Sequence, residues 1–371
     1  MAARRVADYA AHVAEDLYNC SLKRQTGVSL KHMMDFVPTQ RNLLLSAQFL
    51  HKELPIRLAH RVLELENLPY GLTEKIPILQ VRQWYIDSFR DLRSFPDIRN
   101  SQDEASFTNL LYQIKRRHAD VISTMALGIR ELKQDIGPRI GRDDVPEVHQ
   151  FMDRFFMSRI GIRMLIGQHV AMHIPNQPPS YVGLISTKAS PVEISRNAVE
   201  DAQVVCRRAY GDTPDVHIYG DPKFTFAYVP THLHHMIFEL VKNSLRAVLV
   251  RYMKTSSDPP PIRVIVADGL EDVTIKILCF TEQISDEGGG IPRSGISKIW
   301  SYLYSTADTP SVSGNSRDMP SAMAGYGFGL PISRLHARYF GGDLQVMSME
   351  GYGTDAYLHL TRLGNVQEPL P

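Results

Sequence analysis

The order of apolar and polar positions divides the chain into two parts with different periods. Up to about residue 175, apolar side chains recur every three or four positions, as they do on the buried face of a helix. These stretches predict helices over residues 42–65, 77–92, 106–132 and 148–173. Long helices with short connections are typical of an antiparallel bundle, so we expect a four-helix-type bundle and no strand in this part.

A proline-rich segment, residues 175–181 (PNQPPSY), ends the helical part. Beyond it the pattern alternates with the period of strands. We predict helices over residues 190–210, 230–254 and 331–340, and strands over residues 216–219, 224–229, 262–267, 273–281, 343–349 and 355–361. This mixture indicates an α/β sandwich. We therefore expect two domains, residues 1–178 and residues 179–371.

Composition narrows the function classes. The chain has 371 residues and a net charge of +1, so no overall field favours nucleic acid or a membrane surface. No apolar run reaches the roughly 18 residues that a membrane-spanning helix needs, so we expect no membrane insertion. The three cysteines, Cys20, Cys206 and Cys279, lack metal-ligand spacing. We expect them to be buried apolar side chains in a reducing compartment.

Three glycines at alternate positions, Gly325, Gly327 and Gly329, precede the helix predicted at 331–340. Glycine lets backbone N–H groups surround an anion, and a helix N-terminus adds partial positive charge. The spacing is neither that of the P-loop nor that of the dinucleotide fingerprint. This segment therefore predicts a phosphate-binding loop of another kind.

The helix predicted at 230–254 carries five polar side chains on one face: His235, Glu239, Lys242, Asn243 and Arg246. The glutamate can accept a proton from a hydroxyl nucleophile, and a histidine one turn earlier can orient it. The asparagine is a neutral oxygen ligand that suits Mg²⁺. An alternative interpretation is a solvated face with ordinary ion pairs.

Asp286 follows a predicted strand and precedes the glycines Gly288 and Gly290. A carboxylate at a strand end can accept a hydrogen bond from an exocyclic amine such as that of adenine. The glycines would let the backbone pass close to the base, although a simple turn explains them equally. The segment that ends at Thr354 is also compatible with a hairpin turn alone.

Together, these elements resemble the nucleotide site of the GHKL (Bergerat) ATPase and kinase superfamily, which includes gyrase, Hsp90 chaperones, histidine kinases and MutL. Five segments resemble more narrowly the mitochondrial pyruvate dehydrogenase kinases, and especially a plant member. These segments are residues 163–169 (RMLIGQH), 234–243 (HHMIFELVKN), 302–306 (YLYST), 325–334 (GYGFGLPISR) and 339–343 (YFGGD). The resemblance covers nearly the whole chain.

The resemblance implies an α + α/β protein, with the bundle followed by a GHKL sandwich that binds ATP. It implies a kinase of the mitochondrial matrix that uses Mg-ATP to phosphorylate serines of the pyruvate dehydrogenase α-subunit. The implied partners are that subunit, the lipoyl domain of the dihydrolipoyl acetyltransferase core, and a second copy of the chain.

The resemblance also assigns roles to residues. Glu239 corresponds to the general base, His235 to its orienting partner, and Asn243 to the Mg²⁺ ligand. Ser305 and Thr306 begin the ATP lid. The residues implied to bind the nucleotide are Lys242, Asn243, Arg246, Asp286, Gly288, Gly290, Ser305, Thr306, Gly325, Gly327, Gly329 and Thr354.

The helical part contains a second implied site, made of Tyr85, Ser88, His118, Arg159 and Arg163. In the family, these positions resemble a pocket for pyruvate-like carboxylates that inhibit the kinase. Cations that face a bundle interior need an anionic partner. Surface charges or internal ion pairs are the alternative.

One feature departs from the family pattern. The strand before Asp286 is longer by about seven residues, and an insertion near residues 278–284 would bulge out or displace that aspartate. We therefore keep three alternatives: a weakly active or inactive nucleotide-binding variant, a branched-chain ketoacid dehydrogenase kinase, and a histidine autokinase. The last is disfavoured because His60, its nearest acceptor, lacks an adjacent acid.

Overall fold

The computed structural model describes residues 11–37, 39–136, 145–252, 258–280, 290–302, 327–362 and 364–370. The chain forms two compact units. One comprises Met1–Val28, His32–Leu184 and Glu368–Pro371, and the other comprises Ser29–Lys31 and Ile185–Gln367. The main change of unit falls between Leu184 and Ile185, whereas we predicted a domain boundary after residue 178.

Before the first strand, the described residues form seven α-helices: α1 (Ala11–Ser21), α2 (Leu30–Asp35), α3 (Gln40–Glu66), α4 (Ile76–Ser94), α5 (Ser101–Arg117), α6 (Val121–Ile136) and α7 (Pro146–Ala171). A short 3-10 helix, Leu72–Glu74, lies between α3 and α4. Within this set, α3 packs against α1, α4, α5 and α7, and α4 also packs against α6. In the described part of the chain, no helix is both long and apolar enough to cross a bilayer.

The third predicted helix was wrong in its extent, because residues 106–132 belong to two helices. α5 begins at a capping box, in which the Asn100 side chain accepts from the backbone N–H of Asp103 and the Asp103 carboxylate accepts from that of Asn100. It ends at His118, and the Asp120 carbonyl then accepts from the backbone N–H of Thr124 in the first turn of α6. Apolar periodicity alone does not detect such a break.

A buried ion cluster joins the last described residues to the helical unit. Arg57 donates from Nε to Glu53 Oε1 (2.9 Å) and from Nη1 to Glu368 Oε2 (3.1 Å). The backbone of Glu368 also bonds to that of Val28 (3.0 Å). All three charged side chains are buried, so each depends on the others for compensation of its charge.

The second unit contains a five-stranded sheet in the order β3-β5-β6-β8-β7, with only β3 and β5 parallel. Its helices α8, α9 and α11 pack together or against the sheet. A helical part followed by a mixed α/β part is confirmed. From residue 181 onward, in either unit, the described α-helices and strands are β1 (Tyr181–Val182), β2 (Ile185–Ala189), α8 (Pro191–Tyr210), β3 (Val216–Tyr219), β4 (Phe226–Tyr228), α9 (Pro230–Tyr252), β5 (Ile262–Asp268), β6 (Asp272–Phe280), α10 (Arg293–Ile296), α11 (Gly329–Tyr339), β7 (Asp343–Met349) and β8 (Gly353–Thr361).

Strand β2 was missed by the sequence analysis. Two exposed residues lie between its buried ends, so its pattern does not alternate. Its pairing with β4 also shifts register between Ser186 and Ala189. A register shift of this kind removes the period of two on which strand prediction depends.

The long strand before Asp286 is regular as far as Phe280. β6 pairs with β8 in unbroken antiparallel register, from Asp272 opposite Thr361 to Phe280 opposite Gly353. The expected bulge is therefore not present in the described part of this strand, which ends at residue 280. Residues 281–284 and Asp286 lie outside the described residues.

Candidate active site

Helix α9 carries the predicted polar face because its other side is buried. Met236, Ile237, Leu240, Val241 and Leu245 are buried, and the helix packs against α8, α11 and β6. Burial of these apolar side chains fixes the rotation of the helix. The polar side chains are thereby held in one direction.

Glu239 and Lys242 form an ion pair on this face. The Lys242 Nζ lies 2.8 Å from Oε1 and 2.8 Å from Oε2 of Glu239. Lys242 is only 6% exposed, and its ammonium also lies 5.4 Å from the centre of the Phe238 ring. A buried ammonium that contacts both oxygens limits the movement of the carboxylate.

His235 lies one turn before Glu239 and contacts the His336 ring of α11, with 5.3 Å between ring centres. Burial lowers the pKa of His235, and the nearby Glu239 carboxylate opposes that shift. The imidazole is therefore neutral at neutral pH. Among the described residues, the hydrogen bond to Glu239 comes from Lys242. The orienting role of His235 stays a prediction.

The glycine segment lies next to the carboxylate of Glu239. α11 begins at Gly329 without a side-chain cap, and its first turn contains no acidic residue. A Cβ added to Gly329 would overlap Oε2 of Glu239 and lie 3.1 Å from its Cδ. Gly327 has φ +82°, a conformation that glycine adopts at little cost. An uncapped helix N-terminus thus lies directly beside the predicted base.

Asn243 and Arg246 complete the face. Asn243 is exposed, and its side-chain amide has no hydrogen-bond partner among the described residues. Arg246 is half-buried. A free amide oxygen, one turn from a carboxylate, suits a hydrated Mg²⁺ ion that also binds phosphate oxygens.

The Gly290 turn and Thr354 are joined through Ser348, a residue that the sequence analysis missed. The Ser348 Oγ accepts from the backbone N–H of Ile291 (2.6 Å) and lies 2.8 Å from Thr354 Oγ1. A Cβ on Gly290 would lie 3.1 Å from that oxygen and overlap the carbonyl of Met349. Ser348 is an ordinary strand residue in sequence, so only the pairing of β7 with β8 reveals it.

Five predicted site residues, Asp286, Gly288, Ser305, Thr306 and Gly325, lie outside the described residues. The residues that flank the longest such segment are in contact. The ring of Tyr302 meets that of Phe328 edge to face, with 5.1 Å between centres. Both side chains are buried.

The second predicted cluster is assembled in the helical unit. The Tyr85 and His118 rings are 4.5 Å apart, and Ser88 Oγ lies 3.0 Å from His118 Nε2. Arg159 donates to the carbonyl of His118 (3.0 Å). Arg163, one turn further along α7, is half-buried.

This cluster has more hydrogen-bond donors than acceptors. The Tyr85 hydroxyl, Arg159 Nε and Arg163 Nη1 are buried atoms without a hydrogen-bond partner among the described residues. Burial lowers the pKa of Arg159 to about 10 and that of His118 to about 4, and raises that of Tyr85 to about 12. At neutral pH the cluster therefore has two cations and a neutral imidazole. An anion would satisfy its donors.

Comparison with known proteins gives similarities over both parts of the chain. Residues 228–363 match the family described as histidine kinase-, DNA gyrase B-, and HSP90-like ATPase. Residues 27–186 match the family described as mitochondrial branched-chain alpha-ketoacid dehydrogenase kinase.

Similar whole proteins include a mitochondrial pyruvate dehydrogenase (acetyl-transferring) kinase of Arabidopsis thaliana, which is 60% identical, with 96% of each chain covered. The corresponding kinase of Schizosaccharomyces pombe is 38% identical over 93% of this chain and 95% of its own. Human isozyme 4 is 39% identical over 93% of this chain and 83% of its own.

Proposed function

This chain belongs to the mitochondrial pyruvate dehydrogenase kinases, and we propose that Glu239 is the base with which it phosphorylates serines of the pyruvate dehydrogenase α-subunit. The protein is an ATP-dependent mitochondrial kinase that acts on pyruvate dehydrogenase. The whole-chain relatives do not favour the branched-chain alternative or an inactive variant.

The observation that carries the proposal is the contact between Gly329 and the Glu239 carboxylate. Glu239 would take the proton from the substrate serine hydroxyl, and Lys242 would hold the carboxylate in place. The N-terminus of α11 would stabilise negative charge beside it. The neutral His235 would orient the base from the preceding turn. Positioning and charge neutralisation are the main requirements of phosphoryl transfer.

ATP would supply the phosphoryl group, and Mg²⁺ would neutralise the charge of the phosphates. Asn243 fits the Mg²⁺ ligand because its amide is exposed and without a partner among the described residues. On the adenine side, the Ser348 bonds that join the Gly290 turn to Thr354 support a base-binding role there. Sequence resemblance alone supports nucleotide contacts from Lys242, Arg246, Asp286, Gly288, Ser305, Thr306, Gly325 and Gly327.

The acceptor can be tested with the two purified ketoacid dehydrogenase complexes. We expect labelled γ-phosphate to appear on serines of the pyruvate dehydrogenase α-subunit, with little label on the branched-chain complex. The measurement is the label per α-subunit at equal kinase concentration. Equal labelling of both complexes, or preference for the branched-chain complex, would contradict the acceptor that we propose.

The helical unit has a proposed part in recognition. Contacts of α3 with α4, of α4 with α5, of α5 with α7 and of α7 with α3 support an antiparallel four-helix-type bundle. Family membership supports binding of this unit to the lipoyl domain of the acetyltransferase core, a homodimer, and a location in the mitochondrial matrix.

We also propose that Tyr85, Ser88, His118, Arg159 and Arg163 form an inhibitory pocket for pyruvate-like carboxylates. The unpartnered donors of Tyr85, Arg159 and Arg163 support this role, because a carboxylate can accept several hydrogen bonds at once. A ligand bound there would replace hydrogen bonds that the protein itself does not supply.

Replacing Arg163 with glutamine should weaken inhibition by pyruvate. A charge-assisted hydrogen bond contributes about 1.5–3 kcal/mol, so the half-inhibitory concentration should rise by roughly tenfold or more. The measurement is kinase activity against pyruvate concentration. The control is Arg116→Gln, which removes an exposed arginine from α5. Equal inhibition of Arg163→Gln and the control would disprove the pocket.

A further inference from the structure

The helical unit contains another cluster of ligand-type side chains, separate from the two sites above. Glu104 lies on α5, His169 lies in the last turn of α7, and His173 follows it by four residues. Their ligand atoms all lie within 4.8 Å of one another. The Glu104 Oε1 is 3.2 Å from His169 Nε2 and 2.8 Å from His173 Nε2.

The hydrogen bonds among the described residues leave one ring nitrogen of His173 without a partner. Its Nδ1 lies 2.9 Å from the carbonyl oxygen of His169. A carbonyl only accepts, so Nδ1 carries a proton, and Nε2 is the ring nitrogen that is directed toward Glu104. That nitrogen is buried, has no hydrogen-bond partner among the described residues, and faces the carboxylate oxygen of Glu104.

The surroundings of the cluster also suit metal ligation. His169 contacts Ser46 Oγ through Nδ1 (2.9 Å), which leaves Nε2 directed toward Glu104. Thr108 Oγ1 lies 2.9 Å from both Glu104 Oε1 and His169 Nε2. Metal-bound histidines usually have a hydrogen-bond partner on the ring nitrogen that does not bind the metal, which fixes the tautomer and the ring orientation. Ser46 is such a partner for His169.

We propose that Glu104, His169 and His173 bind a divalent transition-metal ion of the Zn²⁺ class. Two imidazoles and one carboxylate suit Zn²⁺ better than Mg²⁺ or Ca²⁺, which prefer oxygen ligands. Three protein ligands leave a position for water. His173 is 27% exposed while the other two side chains are buried, so the ion reaches the site at the His173 edge. The bound ion ties α5 to the end of α7.

The direct test is titration of the metal-free full-length protein with Co²⁺, followed by its visible absorption. We expect one equivalent to bind to the parent and to His217→Gln, which removes an exposed histidine from β3. His173→Gln should bind at least about tenfold more weakly, because it lacks a ligand. Equal affinity in His173→Gln and the parent, or no binding to the parent, would overturn the proposal.

Two further measurements do not depend on the folding of His173→Gln. Ser46→Ala keeps all three ligands and should weaken Co²⁺ binding by about 10–100-fold, as loss of a supporting hydrogen bond does. X-ray absorption of the Zn²⁺-loaded parent should show two imidazole ligands. Scattering without imidazole, or unchanged affinity in Ser46→Ala, would mean an adventitious surface ion only and would reject the site.

Discussion

Glu239→Gln should reduce phosphoryl transfer to pyruvate dehydrogenase by about 10²–10⁴-fold, the usual contribution of a general base. Glutamine has nearly the same shape but cannot take a proton from the serine hydroxyl. The measurement is the single-turnover rate of γ-phosphate transfer at saturating Mg-ATP. Under these conditions the loss should appear in the rate of chemistry rather than in nucleotide affinity.

The control for this substitution is Glu200→Gln, which changes an exposed glutamate of α8 in the same unit. Because Glu239→Gln leaves Lys242 as a buried cation without its carboxylate, its thermal unfolding must be measured as well. The transfer assay is run well below that transition. If a folded Glu239→Gln protein transfers phosphate as fast as Glu200→Gln, Glu239 is not the base.

Gly329→Ala should lower the transfer rate by about 10²-fold, the effect of misplacing a catalytic group by roughly 1 Å. The new methyl group would overlap the end of the Glu239 side chain. A carboxylate at the end of a flexible side chain can rotate away, so the protein should fold. Its base would then lie away from both Lys242 and the start of α11. The measurement is the same single-turnover rate.

A double-mutant comparison separates this effect from general damage. In a Glu239→Gln background, Gly329→Ala should cause almost no further loss, because both changes act through one carboxylate. Gly351→Ala is the control for general damage, because a side chain strains its left-handed backbone (φ +83°) while nothing lies within 4 Å of the added Cβ. Independent, multiplicative losses would contradict a shared mechanism.

Much of the candidate site was predictable from sequence because it depends on local spacing. The shared face of α9 follows from helix geometry, and the glycine segment was identified from three glycines at alternate positions. The partner of Glu239 was not predictable, because His235 and Lys242 both lie within reach of it on the same face. Only the packed rotamers show that the lysine makes the bond.

Features that depend on long-range contacts were missed for a physical reason. Ser348 becomes part of the site through strand pairing, and Glu104 meets two histidines that follow it by 65 and 69 positions. His169 and His173 are four positions apart, and this spacing alone does not indicate a metal site. The split of α5 from α6 was missed because capping, rather than apolar period, sets those helix ends.

The Arg57–Glu368 bond closes the helical unit with a residue from near the far end of the chain. Its buried cluster includes a carboxylate that lies 311 residues after Arg57. A contact between residues so far apart in sequence forms only after the entropy cost of closing the intervening loop has been met. The helical unit therefore completes its interior only when the chain around Glu368 has returned to it.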